Sequence, residues 1–119
     1  MKLPLVPISI GELIDKITIL EIKSLFSDSE YLKKELEELN KIKSTITQYI
    51  LDYEMELKKI NEKLWKIEDK IREKEKLQEF DEEFINLARS VYITNDERAL
   101  IKRKINEVTQ SSFKEIKIY

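Results

Sequence analysis

Residues 31–71 read YLKKELEELNKIKSTITQYILDYEMELKKINEKLWKIEDKI, and this stretch decides the fold. Apolar side chains return every three or four residues from Leu32 to Ile71, which is the spacing of one face of a helix. The repeat lasts long enough to resemble the seam of a coiled coil. It predicts a long helix over 28–77. The candidate break lies near 43–48, where Ser and Thr disfavour a helix interior.

A shorter helix is predicted before this stretch, over 10–26. Its start is marked by Ser9 and Glu12, which have the spacing of a capping box. Apolar residues cover most of its circumference, so we expect it to be the most buried element. The spacing of Ser27 and Glu30 predicts a second capping box at the start of the long helix.

A further helix is predicted over 82–109, after the long stretch. Thr94 and Glu97 repeat the capping-box spacing inside it, so the helix either kinks near 94–96 or a new short helix begins there. The single glycine and both prolines of the chain precede residue 12, so no strong breaker interrupts the helices that follow.

These patterns predict one all-α domain over 1–119. It would be an antiparallel helical hairpin or a bundle of three to four helices, with one long coiled-coil-like helix. Short extended termini, an arm over 1–8 and a tail over 110–119, would flank it, and they could pair as a small ribbon. The seam leaves apolar surface uncovered, including Tyr31, Tyr49 and Tyr53, so we expect a homodimer.

Composition excludes several classes of function. The chain has 22 basic and 24 acidic residues, with a net charge of −2, which argues against nucleic-acid binding. It contains no Cys and no His, so disulfide frameworks, zinc ribbons and His-dependent catalysis in their ordinary forms are excluded. No apolar run is long enough to cross a membrane, and the N-terminus does not resemble a signal peptide. We therefore expect a cytoplasmic protein without a cofactor.

The first candidate site pairs Glu12 with Asp15, one turn apart on a helix. Such carboxylates can bind Mg or Mn. The alternative interpretation is that Glu12 caps the helix and that Asp15 is a solvated side chain. The second site surrounds the one tryptophan and comprises Asn61, Trp65, Glu68 and Arg72, with Asp69 next to them. It would form either the floor of a small-molecule pocket or an aromatic residue packed under an ion pair.

The third candidate site lies in residues 88–106, ARSVYITNDERALIKRKIN. Arg89, Tyr92, Asp96 and Arg103 would lie roughly along one line of the helix, with Asn95, Arg98 and Lys102 nearby. If the long helix and the last helix pack antiparallel, the polar residues near Trp65 would face this group: Glu68, Asp69 and Arg72 opposite Arg89, Asp96 and Arg98. Such networks more often fix register than catalyse, although Arg side chains could also hold a phosphate or carboxylate.

Three segments resemble the signature segments of a family of small uncharacterised bacterial proteins, carried as a domain of unknown function. They read SIGELIDKITILEIKS, NEKLWKIEDKIREKE and FINLARSVYITNDERALIKRKIN, and they fall within 8–24 and 57–107. The resemblance implies a bacterial or phage-like origin. Because the family has no established activity, it implies no catalytic residues.

The leading hypothesis is therefore a non-catalytic helical module that dimerises and interacts with other proteins. The alternative is a small-ligand-binding or Mg/Mn-dependent enzyme on an all-α scaffold, by analogy only. All-α nucleotide pyrophosphohydrolases use Glu-x-x-Glu followed by Glu-x-x-Asp, whereas here Glu35-x-x-Glu38 follows Glu12-x-x-Asp15. Helical chorismate mutases use basic residues inside a bundle, which Arg72, Arg89, Arg98 and Lys102 could imitate.

Overall fold

The computed structural model describes residues 3–118 as four packed helices. They are Ile10–Ser24 (α1), Glu30–Lys43 (α2), Leu51–Leu77 (α3) and Glu82–Thr109 (α4). The predicted all-α fold is confirmed. Residues 3–118 contain no strand, so the extended segments at the two ends do not pair as a ribbon within the chain. The first two residues of the predicted arm and the last residue of the predicted tail lie outside the described part.

α1 lies at the centre of the fold and packs against all three other helices. It begins as expected after Ser9, whose side chain accepts a hydrogen bond from the backbone N–H of Glu12 at 3.1 Å. Apolar residues on several sides of α1 are buried, including Ile14 and Ile17. A helix that is apolar over most of its circumference needs neighbours on most of its sides, which explains its central position; Lys16 and Lys23 lie on the part that stays exposed.

The stretch 28–77 forms two helices that divide at the candidate break, because the chain leaves the helix at Lys43 and resumes it at Leu51. In the break, the hydroxyls of Ser44 and Thr45 donate to backbone carbonyls one turn earlier, at 2.5 and 2.7 Å. Side chains that bond to nearby backbone in this way compete with helix formation. Ile50 is buried in the core as the chain turns back, so α2 packs on α1 instead of extending α3.

The start of α2 also differs from the predicted capping box. Ser29, not Ser27, is its N-cap, and no side-chain hydrogen bond caps the helix there. The Ser27 hydroxyl accepts instead from the backbone N–H of Ser29 at 3.2 Å. α2 therefore begins without side-chain capping and has no buried residue of its own.

α4 is one unbroken helix, so no new helix begins near 94–96. Thr94 is only 1% exposed and faces the core instead of capping a helix end. The true N-cap is Asp81, whose carboxylate accepts from the backbone N–H of Phe84 at 2.9 Å. Tertiary packing of Thr94 overrides a local signal that would suit a helix start in isolation.

α3 and α4 form an antiparallel hairpin closed by a short turn. Gln78 ends α3 in a left-handed conformation, and Lys74 contacts three acidic residues around the turn. Farther along, the Lys63 ammonium lies 3.8 Å from the Glu97 carboxylate. This ion pair shows that the two helices run side by side for much of their length.

α4 has two contrasting faces. Its inner face packs on the other helices and includes Thr94, Arg98, Ile101, Lys102, Ile105 and Asn106. Between Glu82 and Arg103 its outer face is exposed throughout and consists of Glu82, Ile85, Arg89, Tyr92, Ile93, Asp96, Leu100 and Arg103. At 3.6 residues per turn, these eight positions fall in a sector of about 100°.

None of the helices within residues 3–118 combines the length and the apolar character that a bilayer crossing requires.

Candidate functional site

A buried polar cluster joins α1, α3 and α4. At its centre is Asp15, which is 2% exposed. The Arg98 guanidinium donates to both carboxylate oxygens, with the Nε–Oδ1 distance at 2.8 Å. The Asn61 amide donates to the same Oδ1 and to the Thr18 hydroxyl, both at 2.9 Å. The cluster therefore ties three helices together through one carboxylate.

The helical periods of the sequence bring these residues to the core. Asp15 and Thr18 stand one turn apart on the most buried helix, and Asn61 lies on α3 between the buried Leu57 and Leu64. A charge in such a place needs a partner of opposite sign, since burial without one is costly. The hydrogen bond with Asp15 raises the pKa of Arg98, which keeps the guanidinium charged.

A second ion pair lies one turn away, between Glu12 of α1 and Lys102 of α4. The Lys102 side chain is 8% exposed, and its ammonium also lies 3.3 Å from the Glu115 carboxylate in the C-terminal tail. The two ion pairs join α1 to α4 at successive helical turns. Together with the tail, they fix how α1 lies against α4.

The N-terminus of α1 is held by α4 and the segment after it. The backbone N–H of Gly11 donates to Asn106 Oδ1 at 2.6 Å, and that of Ile10 donates to Ser111 Oγ at 3.0 Å. A Cβ at Gly11 would lie 2.6 Å from the Lys102 carbonyl oxygen, so the approach requires glycine. Because Ser9 caps a third N–H group, little of this helix end remains for an anion.

The structure places the candidate residues near the tryptophan differently from the expectation. The half-buried Trp65 stacks on Phe26 with ring centroids 5.3 Å apart. Glu68, Asp69 and Arg72 are exposed on α3. The proposed facing of these three residues with Arg98 is wrong, because Arg98 pairs with Asp15 of α1.

The candidates on α4 divide between its two faces. Arg98 and Lys102 lie on the inner face, and Asn95 accepts a long hydrogen bond from Arg98 at 3.4 Å. Arg89, Tyr92 and Asp96 lie on the exposed outer face. Asp96 lies 3.8 Å from Lys117 of the tail. The basic residues compared with chorismate mutases therefore do not converge on one pocket.

The interpretation of Asp15 as a solvated residue is wrong, since its side chain is buried in the cluster. Neither it nor Glu12 is left with an unpaired charge for a metal, because Arg98 and Lys102 hold them. Within residues 3–118, no group of three or more possible metal ligands comes together. Glu35 and Glu38 are exposed on α2, where they pair with Lys16 and Lys41.

Five residues of this region were missed from the sequence: Gly11, Thr18, Asn106, Ser111 and Glu115. Gly11 carried a usable signal, because a lone glycine in a helical pattern often marks a close backbone approach. Thr18 and Asn106 carried none, since a single polar residue on an apolar face does not reveal its partner.

A shallow groove elsewhere on the surface runs along α3. Four lysines, Lys59, Lys63, Lys66 and Lys70, line it beside Ile67 and Leu87. Lys63 is paired with Glu97 across the hairpin. The groove offers positive charge to an anionic ligand but no buried polar group to orient one.

The buried cluster uses its polar atoms in hydrogen bonds within the protein. Among the residues that the structure describes, no buried side-chain nitrogen or oxygen lacks a hydrogen-bond partner. A carboxylate held by Arg and Asn is well suited to fixing helix register, and it has little capacity left to accept a proton or bind a ligand.

The family model described as a family of unknown function (DUF6165) matches residues 3–119. No curated protein and no solved structure matches the chain.

Proposed function

Since the chain belongs to DUF6165, a family of unknown function, we propose that it is a non-catalytic helical module that binds protein, beginning with a second copy of itself. The outer face of α4 carries this proposal. Four of its large apolar residues, Ile85, Tyr92, Ile93 and Leu100, are between 46% and 56% exposed. A helix that is apolar on two faces has more apolar surface than its own fold covers.

The buried cluster supports a structural over a catalytic role. Asp15 is bound by Arg98 and Asn61, and Lys102 by two carboxylates. A catalytic site needs polar atoms free to meet a substrate, whereas these atoms are used to join the helices. The alternative of a ligand-binding or Mg/Mn-dependent enzyme therefore has less support.

Other exposed apolar residues are less suited to a stable interface. Some lie in the turns, on α2 and α3 and at the end of α4, and the others lie in the extended ends, at Leu3, Leu5, Val6, Ile8, Phe113, Ile116 and Ile118. Binding through extended segments carries the entropic cost of ordering them, whereas a helix already packed on the domain presents its residues in fixed positions. The outer face of α4 is therefore the favoured contact surface.

Light scattering on the purified chain tests self-association. We expect a mass near twice the 14.3 kDa of one chain at micromolar concentration. We also expect a melting temperature that rises with protein concentration, because dimerisation stabilises the folded state by mass action. The mass of a single chain at every concentration would contradict the proposal.

A thermal-shift screen with Mg, Mn, nucleotides and inorganic phosphate tests the alternative. We expect no clear rise in melting temperature with any of them. A rise with one of these ligands that is lost in Asp96→Asn, while the stability of the unliganded variant is unchanged, would favour the ligand-binding alternative. The cytoplasmic location expected from the sequence stays a prediction.

A further inference from the structure

The outer face of α4 has an internal symmetry. In chain order its residues read Glu82, Ile85, Arg89, Tyr92, Ile93, Asp96, Leu100 and Arg103. When this list is read backwards and matched with itself, each apolar residue is matched with an apolar residue. Each charged residue is matched with a residue of opposite charge. The point of reversal lies between Tyr92 and Ile93. The numbers of each matched pair sum to the same value, so every pair is equidistant from that point along the helix.

We propose that two copies of this chain pair through their α4 helices, antiparallel and around a twofold axis between Tyr92 and Ile93. This inference rests on the proposed self-association and specifies its geometry. Tyr92 would pack on the partner's Ile93, and Ile85 would pack on the partner's Leu100. Arg89 would pair with the partner's Asp96, and Glu82 with the partner's Arg103.

A twofold axis is the natural source of such a pattern. In an isologous interface, residue i meets residue j while residue j meets residue i, so one surface has to complement itself. The outer face meets that condition at four successive levels. From Glu82 to Arg103 it spans about 32 Å at 1.5 Å per residue, which is enough for an extended helix–helix contact.

The apolar and charged pairs have different roles in this interface. The apolar pairs would supply most of the binding free energy, since their side chains are about half exposed in the single chain. The charged pairs would fix the orientation, because Arg89 and Asp96 fall near the middle of the sector, where a like charge from the partner would be costly. A parallel arrangement in register would bring Arg89 against the partner's Arg89, which disfavours it.

The C-terminal tail is compatible with this contact. Lys117 lies 3.8 Å from Asp96, but the Asp96 side chain remains 54% exposed. A carboxylate accepts several hydrogen bonds, so Asp96 can contact Lys117 and an arginine of the second copy together. Within residues 3–118, Arg89 forms no ion pair, and its charge is available to a partner.

Charge reversal on each side of the axis gives a direct test. Arg89→Asp alone places Asp opposite the partner's Asp96, and Asp96→Arg alone places Arg opposite the partner's Arg89. We expect each variant to dimerise at least tenfold more weakly than the wild type. An equimolar mixture of the two should form a heterodimer within about threefold of wild-type affinity, because both charge pairs are then attractive again, one as in the wild type and one with its two charges exchanged.

The measurements are sedimentation equilibrium for affinity and circular dichroism for folding. Wild-type association with both variants unaffected would overturn the helix pairing and leave the proposed self-association standing. Weaker association of both variants, with no recovery of affinity in their mixture, would also overturn the pairing. A wild-type chain that stays monomeric would overturn the proposed self-association and this inference with it.

A second measurement covers the case in which a charge-reversed variant does not fold. The chain has no cysteine, so Ile93→Cys introduces one thiol beside the proposed axis. We expect it to form an intermolecular disulfide at least tenfold faster than Tyr49→Cys, a matched control at an exposed position before α3. Equal rates for the two variants would overturn the pairing.

Discussion

The inner and outer faces of α4 contain similar residues, but the inner face is buried and the outer face is exposed. On the inner face, Arg98 and Lys102 stand among buried apolar side chains, and each has an acidic partner from elsewhere in the chain. On the outer face, Arg89 and Arg103 stand among apolar side chains that remain exposed. Amino-acid composition therefore does not distinguish a core face from a binding face. The difference is whether other helices of the same chain cover it.

The largest expected effect is on the inner face, at the carboxylate that joins three helices. Asp15→Ala removes the acceptor from Arg98 and Asn61 and leaves a partly buried guanidinium without a partner. We expect a loss of about 3 kcal/mol in the free energy of unfolding, measured by urea denaturation. Asp69→Ala, an exposed carboxylate on α3, is the control and should change stability by less than about 0.5 kcal/mol.

A smaller loss for Asp15→Ala than for its control would show that the buried cluster does not fix the inner face. The contrast between the two faces would then rest on apolar packing alone.

Two neighbouring residues provide the sharpest test of the contrast. Ile101 is 3% exposed and Leu100 is 46% exposed. Ile101→Ala should cost about 2.5 kcal/mol through the cavity it leaves. Leu100→Ala should cost the single chain less than about 1 kcal/mol, but it should weaken self-association.

Urea denaturation at low protein concentration and sedimentation equilibrium separate these two effects. Equal losses of folding stability in both variants, with unchanged association, would remove the distinction between the faces.

The close contact between α1 and α4 predicts an intermediate effect. At an ordinary helix position Gly→Ala is stabilising by up to about 1 kcal/mol. Gly11→Ala should instead destabilise by about 2 kcal/mol, because the new Cβ meets the backbone oxygen of Lys102 and the helices have to separate. The melting temperature measures it. A stabilised variant would show that the inner face tolerates a wider helix spacing than the structure has.

The smallest expected effect lies outside both faces, at the N-cap of α4. Hydrogen bonds from Lys74 and from the Phe84 backbone N–H lower the pKa of Asp81. A lowered folded-state pKa means that this stabilisation is present above the unfolded pKa of about 3.9 and is lost as pH falls through the folded value. Asp81→Asn keeps a capping side chain but loses the charge.

We therefore expect the wild type to melt slightly above Asp81→Asn at neutral pH. The gap should close as the pH falls below about 4. Circular dichroism melts from neutral to strongly acidic pH measure the gap. A gap that stays constant would show that the charge of Asp81 does not contribute.

Part of the site could be predicted from the sequence. Arg98, Lys102 and Asn95 were candidate residues, and the structure places all three at the inner face. Their partners could not be predicted, because Asp15 lies 83 residues from Arg98 along the chain. Asn61 was likewise separated from Asp15 by 46 residues. Periodicity assigns a residue to a helix face, but it does not say which other helix covers that face.

Local sequence patterns are enough to predict that the chain is helical and where α1 and α4 begin. Helix propensity, apolar spacing and capping are local properties, so they can be read from neighbouring residues. Three features follow only from the tertiary structure. The stretch 28–77 divides into two helices, α4 continues past Thr94, and Asp15 is buried with Arg98. These outcomes depend on contacts between distant segments, whose packing outweighs the weak local preferences at each position.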